Sequence, residues 1–325
     1  RSTLFPYTTL FRSPYSKEAP SSGRRQVFTV CHQKFAVIDQ RSVVLGSANW
    51  AASAIPKATV PGKFRKGNRE WLVHVDDARV ARWFQGLFDA DWDIPALEGP
   101  GGLVGLPESP ELPVVTARAA AVTIPDEVFD VERPVLGGGA TITPLLSPDN
   151  YFDAVHRLIT QATQSIDIEQ QYIVAGGPRT RDLLTALSDA SGRGVELRII
   201  VSPAFEENWR KTVDSLTAAG LIDHLKAINL DSFTHLHNKG VLVDGRYTVV
   251  TSTNMSENSI TKAREAGVLI DSTAVAAYYR RAVEVDWSGG LDPDDVPAHL
   301  VALSDALERV EEPGIEIHPA DARLI

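Results

Sequence analysis

The stretch that decides the fold is His32-Gln33-Lys34-Phe35-Ala36-Val37-Ile38-Asp39, because it returns 205 residues later as His237-Asn238-Lys239-Gly240-Val241-Leu242-Val243-Asp244. Both read His-x-Lys-x4-Asp. The match extends outward: Phe28-Thr29 repeats as Phe233-Thr234, Ser47 as Ser252 and Asn49 as Asn254. The offset then drops to 195, pairing Glu70 with Glu265, Val73 with Val268, Asp76 with Asp271 and Asp91-Trp92 with Asp286-Trp287. The first copy therefore carries a 10-residue insertion between Asn49 and Glu70. Self-similarity of this kind makes the chain a two-copy molecule.

Each copy has the same local pattern. Val27–Asp39, Val43–Ser47 and Trp71–Val75 are β-branched, apolar runs that predict strands, and Asp77–Asp89 has helical spacing. The second copy repeats this at Leu236–Asp244, Tyr247–Thr251, Gly267–Ile270 and Thr273–Val285. Ahead of it, helices at Asp149–Ala162, Thr180–Ala190 and Asn208–Ala219 alternate with strands at Ser165–Ile173 and Val195–Val201. Such alternation predicts an α/β fold, with a parallel or mixed sheet covered by helices on both faces. The first copy has no comparable lead-in, so its domain is expected to be incomplete.

The expected organisation follows. Residues 14–93 are the C-terminal part of a first domain, and 94–139 are a linker with seven prolines, seven glycines and one short strand at Leu112–Thr116. Residues 140–290 form a second domain, and 291–325 an acidic tail with a helix near Pro297–Val310. Residues 1–13, RSTLFPYTTLFRS, resemble a translated sequencing-adapter remnant and stay outside the fold reasoning. The chain starts at Arg1 and its single methionine is Met255, so an N-terminally truncated chain is expected.

Composition excludes several classes. No apolar run reaches the roughly 18–20 residues of a membrane span, and one cysteine, Cys31, rules out an internal disulfide or a Cys-based zinc site. Residues 1–70 carry 12 Lys/Arg against 3 Asp/Glu, whereas the remainder is strongly acidic and brings the chain to −10. An acidic body lacks the broad basic surface that grips duplex nucleic acid. The basic run Lys57, Lys63, Arg65, Lys66 and Arg69 suits an anionic substrate or a membrane surface, or else a solvated loop.

The repeated polar residues carry the chemistry. His and Lys two apart share a strand face, as do Ser and Asn. A two-residue turn at Gln40-Arg41, and at Gly245-Arg246, sets Lys34 opposite Ser47 and His32 opposite Asn49, and Lys239 opposite Ser252 and His237 opposite Asn254. Lysine, asparagine and serine donate hydrogen bonds suited to phosphate oxygens. Two imidazoles supply a nucleophile at phosphorus and an acid for the leaving oxygen. Glu70 and Glu265 suit the task of holding the other nitrogen of a histidine. Asp39 and Asp244 belong to the same candidate catalytic motif, but their odd spacing from the lysines reads as structural, beside the turn. Two lysines take the charge that a metal carries in other phosphoryl-transfer sites, so neither metal nor cofactor is expected. Gln170, Gln171 and Tyr172 are candidate lining residues. Cys31, His74 and His235 read as ordinary.

The motifs HQKFAVID, GSANW and NREW in the first copy, and HNKGVLVD, TSTN and AREAG in the second, resemble the phospholipase D superfamily, including its cardiolipin synthase-like members. The resemblance implies two α/β/α sandwich domains with pseudo-twofold symmetry and one active site at their interface. It implies a phosphohistidine intermediate with His32 as nucleophile and His237 as acid and base. Lys34, Lys239, Asn49 and Asn254 would bind the phosphoryl group, with Ser47 and Ser252 assisting. The expected substrate is a phospholipid. Alternatives are phosphatidyl transfer to an alcohol, nuclease action, and a non-catalytic phosphate-binding scaffold.

Overall fold

The computed structural model describes residues 28–51, 53–54, 67–92, 115–117, 140–230 and 233–297. The segment 1–13, the basic residues Lys57, Lys63, Arg65 and Lys66, most of the linker and nearly all of the expected tail helix lie outside these.

The first copy contributes strands β1 (Phe35–Ile38), β2 (Ser42–Gly46) and β3 (Leu72–Val75), then helix α1 (Ala78–Trp92). The three strands form an antiparallel sheet in chain order. The linker strand β4 (Val115–Ala117) lies close to the expected position and pairs with β5 (Ala140–Ser147). The second copy continues with α2 (Tyr151–Gln161), β6 (Ser165–Gln170), β7 (Ile173–Val174), α3 (Pro178–Gly192), β8 (Glu196–Val201), α4 (Glu206–Ala218) and β9 (Leu225–Ala227). It closes with β10 (Lys239–Val243), β11 (Tyr247–Thr251), β12 (Met255–Ser256), α5 (Glu257–Thr261), β13 (Glu265–Asp271) and α6 (Thr273–Ser288). Its sheet has the order β4-β5-β13-β11-β10-β6-β8-β9. The sheet is mixed, since β6, β8 and β9 run parallel and the other pairs antiparallel.

Two cores cover the sheet. One packs Ile166, Ile168 and Ile199 against Val155, Leu183 and Leu216 of α2, α3 and α4. The other is common to both copies: Val43, Leu45, Trp71, Phe84 and Leu87 of the first pack with Leu236, Leu242, Val250, Val268 and Tyr279 of the second. Trp71 lies on the backbone of β10, where a Cβ at Gly240 would stand 2.1 Å from its ring, and its ring centroid is 4.6 Å from that of Tyr279. Each large apolar side chain so buried contributes about 1.5–3 kcal/mol. A continuous apolar core, more than surface contact, joins the copies.

Two local expectations need correction. The hairpin loops have three residues, not two: Ile38 pairs with Ser42 and Val243 with Tyr247. Asp39 (φ 51°) and Gln40 (φ 54°), like Asp244 (φ 53°) and Gly245 (φ 60°), are successive left-handed residues, as a type I′ turn demands. The register therefore shifts by one, and Lys34 and Lys239 meet Gly46 and Thr251, one short of the serines. The second correction concerns the strand starts. Val27–Asp39 and Leu236–Asp244 join their ladders only at Phe35 and Lys239, because the histidine segments bond across to the other copy instead.

The departure of Thr251 from Gly46 has a compensating partner. Gly46 sits opposite Leu72 and Thr251 opposite Gly267, equivalent pairs in which the glycine has changed strands. A Cβ at Gly267 would lie 2.5 Å from the Thr251 side chain, so one small residue per pair is required.

Candidate active site

The histidine segments form the interface. The N–H of His32 donates to Arg264 O (2.8 Å) and the N–H of Arg264 to Val30 O (2.9 Å). In mirror fashion, His237 N–H donates to Arg69 O (2.9 Å) and Arg69 N–H to His235 O (2.9 Å). Each two-residue parallel bridge carries the next residue, Glu265 or Glu70, to the histidine of the opposite copy.

The glutamates thus serve crosswise. Glu265 Oε2 lies 2.8 Å from His32 Nδ1, and Glu70 Oε1 and Oε2 lie 2.9 and 3.0 Å from His237 Nδ1. An ionised carboxylate only accepts, so each Nδ1 donates, and in the neutral imidazole each Nε2 keeps its lone pair. Burial pushes Glu70 up, but the hydrogen bonds from His237 and Ser47 outweigh it and hold its carboxyl below the usual range.

The serines brace these carboxylates. Ser47 Oγ donates to Glu70 Oε2 (2.5 Å) and Ser252 Oγ to Glu265 Oε2 (2.6 Å). The two hydroxyls are thereby engaged behind the histidines. Asn254 is buried, with an Oδ1 that has no partner among the described residues, and Asn49 is exposed.

Each lysine caps the segment of its own histidine. Lys34 Nζ donates to His32 O and Lys239 Nζ to His237 O, both at 2.6 Å, and Lys239 reaches Gln171 Oε1 at 3.2 Å. Burial pulls Lys34 down to about 8 and Lys239 to about 7, while Glu70 and Glu265 oppose the shift in both. Lys239 also feels the charge of Lys34 across the interface. Burial first, then Lys239, pulls His237 down to about 4, against Glu70.

Asp244 stands apart, as its odd spacing implied. Its carboxylate accepts from the N–H groups of Thr163 (3.0 Å), Gln164 (2.7 Å) and Ser165 (3.1 Å), binding the start of β6 to the turn. Burial pushes it up, and these bonds outweigh that and lower its pKa. Asp39 occupies the matching turn and is exposed. Of the candidate lining residues, Gln171 meets the lysine. Gln170 Oε1 accepts from Met255 N–H (3.2 Å), steadying the chain after Asn254. Arg69 leaves the basic run to pair with Asp286 at 2.8 Å. Cys31 is pushed up to about 11 by burial and stays a thiol.

Sequence reasoning missed His235, whose ring packs edge-on to His237 at 5.4 Å and is pulled down to about 4 by burial. Its signal was the spacing His-x-His on one extended segment. Among the described residues no cluster of three His, Cys, Asp or Glu suits a metal ion.

The family described as "Cardiolipin synthase, PLD-like domain" matches residues 10–92 and 155–287, about two-thirds of the chain and all twelve candidate residues. The chain belongs to the phospholipase D superfamily. Cardiolipin synthase A of Salmonella arizonae is 25% identical over 257 residues, 76% of this chain and 46% of that protein. Phospholipase D Z of Dictyostelium discoideum is 30% identical over 133 residues, 37% of this chain and 31% of that protein. The chain thus spans less than half the length of these curated relatives. Phosphatidylserine synthase of Haemophilus influenzae has a similar fold, with TM-score 0.56 and 15% identity over 90% of this chain and 73% of that one.

Proposed function

We propose that the chain is a phospholipase D-type phosphodiesterase that removes a phospholipid headgroup through a phosphohistidine. The observation that carries this is the crossed pair of Nδ1–carboxylate bonds, which leaves two imidazole Nε2 atoms for chemistry between two lysines. His32 Nε2 attacks phosphorus while protonated His237 gives its Nε2 proton to the departing headgroup oxygen, and the P–O bond breaks. Neutral His237 then takes a proton from water, which attacks phosphorus and breaks the P–N bond. Lys34, Lys239 and Asn254 take the charge of the non-bridging oxygens. A bound phosphodiester also offsets the two lysines that pull His237 down, so substrate itself favours the protonated acid.

The test is headgroup release from phosphatidylcholine–phosphatidylglycerol vesicles. His32→Ala and His237→Ala should each fall to background, and wild type should trap an alkali-stable, acid-labile phosphoenzyme that His32→Ala does not form. Most of the activity surviving in both variants refutes the scheme. The cardiolipin synthase relatives favour, as a second reading, transfer to an alcohol. Phosphatidylglycerol alone would then yield cardiolipin in place of phosphatidic acid. The acidic body argues against a nuclease, so phospholipid should turn over faster than DNA side by side, and faster DNA cleavage reverses that choice. The basic insertion Lys57–Lys66 fits contact with an anionic membrane surface, which salt-sensitive binding to vesicles would test.

A further inference from the structure

The interface holds a second set of reciprocal contacts, one residue outside each histidine–glutamate pair. Arg264, which precedes Glu265, bonds Asp91 of α1 through Nε (3.0 Å) and Nη2 (2.9 Å). Gln33, which follows His32, donates Nε2–H to the same carboxylate at 3.0 Å. Asp91, at the end of the first copy's helix, therefore ties together the two segments that set His32 against Glu265.

The other half repeats the plan with one more link. Arg69, which precedes Glu70, bonds Asp286 of α6 at 2.8 Å. Asn238, which follows His237, donates to Glu169 of β6, and Glu169 shares a hydrogen bond with Asp286. Two carboxyls share such a bond only if one keeps a proton. Burial first, then the charge of Asp286, raises Glu169 to about 8, so Glu169 is the one that keeps the proton. Asp286 thus reaches Arg69 directly and Asn238 through protonated Glu169. All three carboxyls are buried.

We propose that Asp91 and Asp286 are positioning residues, each clamping the segment of one histidine to the segment of the glutamate that orients it. The clamp crosses the interface both times, since Asp91 holds Arg264 and Asp286 holds Arg69. A slip between segments would move a histidine off its carboxylate, and misplacement by about 1 Å costs about a hundredfold in rate. Only the activity readout depends on the phosphodiesterase reading.

The test follows the Nδ1–H resonances of His32 and His237 in the full chain. Asp91→Asn should move the His32 resonance and spare that of His237, and Asp286→Asn should do the reverse. kcat on vesicles should fall about tenfold to a hundredfold, with KM within about twofold. Gln33→Leu and Asn238→Leu cut one arm of each clamp without touching charge, and should show the same selectivity if an aspartate variant fails to fold. Glu169→Gln should keep the wild-type His237 resonance, because an amide donates and accepts as the protonated acid does; Glu169→Ala should not. Resonances unmoved in folded variants, or both moved equally by either change, overturn the proposal. Because they are read without substrate, they decide it even if no phosphodiester turns over.

Discussion

Glu169→Gln should stabilise the protein, and increasingly so as pH rises. Glu169 is fully buried; burial, then the charge of Asp286, raise it to about 8 from an ordinary 4.5, against Arg69 and Asn238. The unfolded chain releases this proton near 4.5, while the folded one keeps it to about 8. Between those values the folded state binds the extra proton, so wild-type stability is fully present below the lower value and is lost as pH climbs through the upper one. At about 1.4 kcal/mol per unit the gap sets a ceiling of about 5 kcal/mol. With the proton shared with Asp286, we expect about 2–3 kcal/mol. Glutamine does not titrate and keeps both hydrogen bonds. Urea unfolding at about pH 5, 6.5 and 8.5 should show nearly equal stability at the first pH and the variant ahead by about 2–3 kcal/mol at the last. Parallel profiles, or a variant that is weaker at the highest pH, would refute the protonated-carboxyl link.

Glu70→Gln replaces a charge-assisted bond worth about 1.5–3 kcal/mol by a neutral one and should lower kcat by about ten- to a hundredfold in steady-state headgroup release per folded enzyme, with a melting temperature lowered by no more than that bond accounts for. The same change should lower the His237 midpoint further, since Glu70 opposes its fall, when it is followed by NMR titration. Gly240→Ala drives a methyl into the Trp71 ring, and should lower thermal stability by about 1–3 kcal/mol in a melting experiment, more than Gly245→Ala in the open turn. Activity should survive EDTA, because the lysines hold the charge; a strict metal requirement would contradict their assignment.

The repeat was legible because identical residue types recur in one order, and the β-branched runs around Val43 and Val249 predict the strands they form. The crossing was not. Nothing in NREW or AREAG tells Glu70 to serve His237 rather than His32, since that choice is made when Arg69 and Arg264 bridge to the opposite copy. The one-residue register error has a local cause: Asp39 and Gln40 take the two left-handed positions of a turn that Arg41 N–H closes on Ile38 O (2.9 Å), one residue earlier than expected, and Arg41 is left over before the Ile38–Ser42 pair. Asp91 and Asp286 were visible as matched positions, but their role depends on burial beside an arginine more than 170 residues away, which no spacing encodes.

The crossed glutamates make the two halves mutually dependent. Each half owns a histidine it cannot orient and a carboxylate it cannot use. Drawing the halves apart would take both imidazoles from their carboxylates, because each pair spans the interface. The docking of one half on the other is therefore what sets the tautomer of both histidines, information that neither copy's motif holds alone.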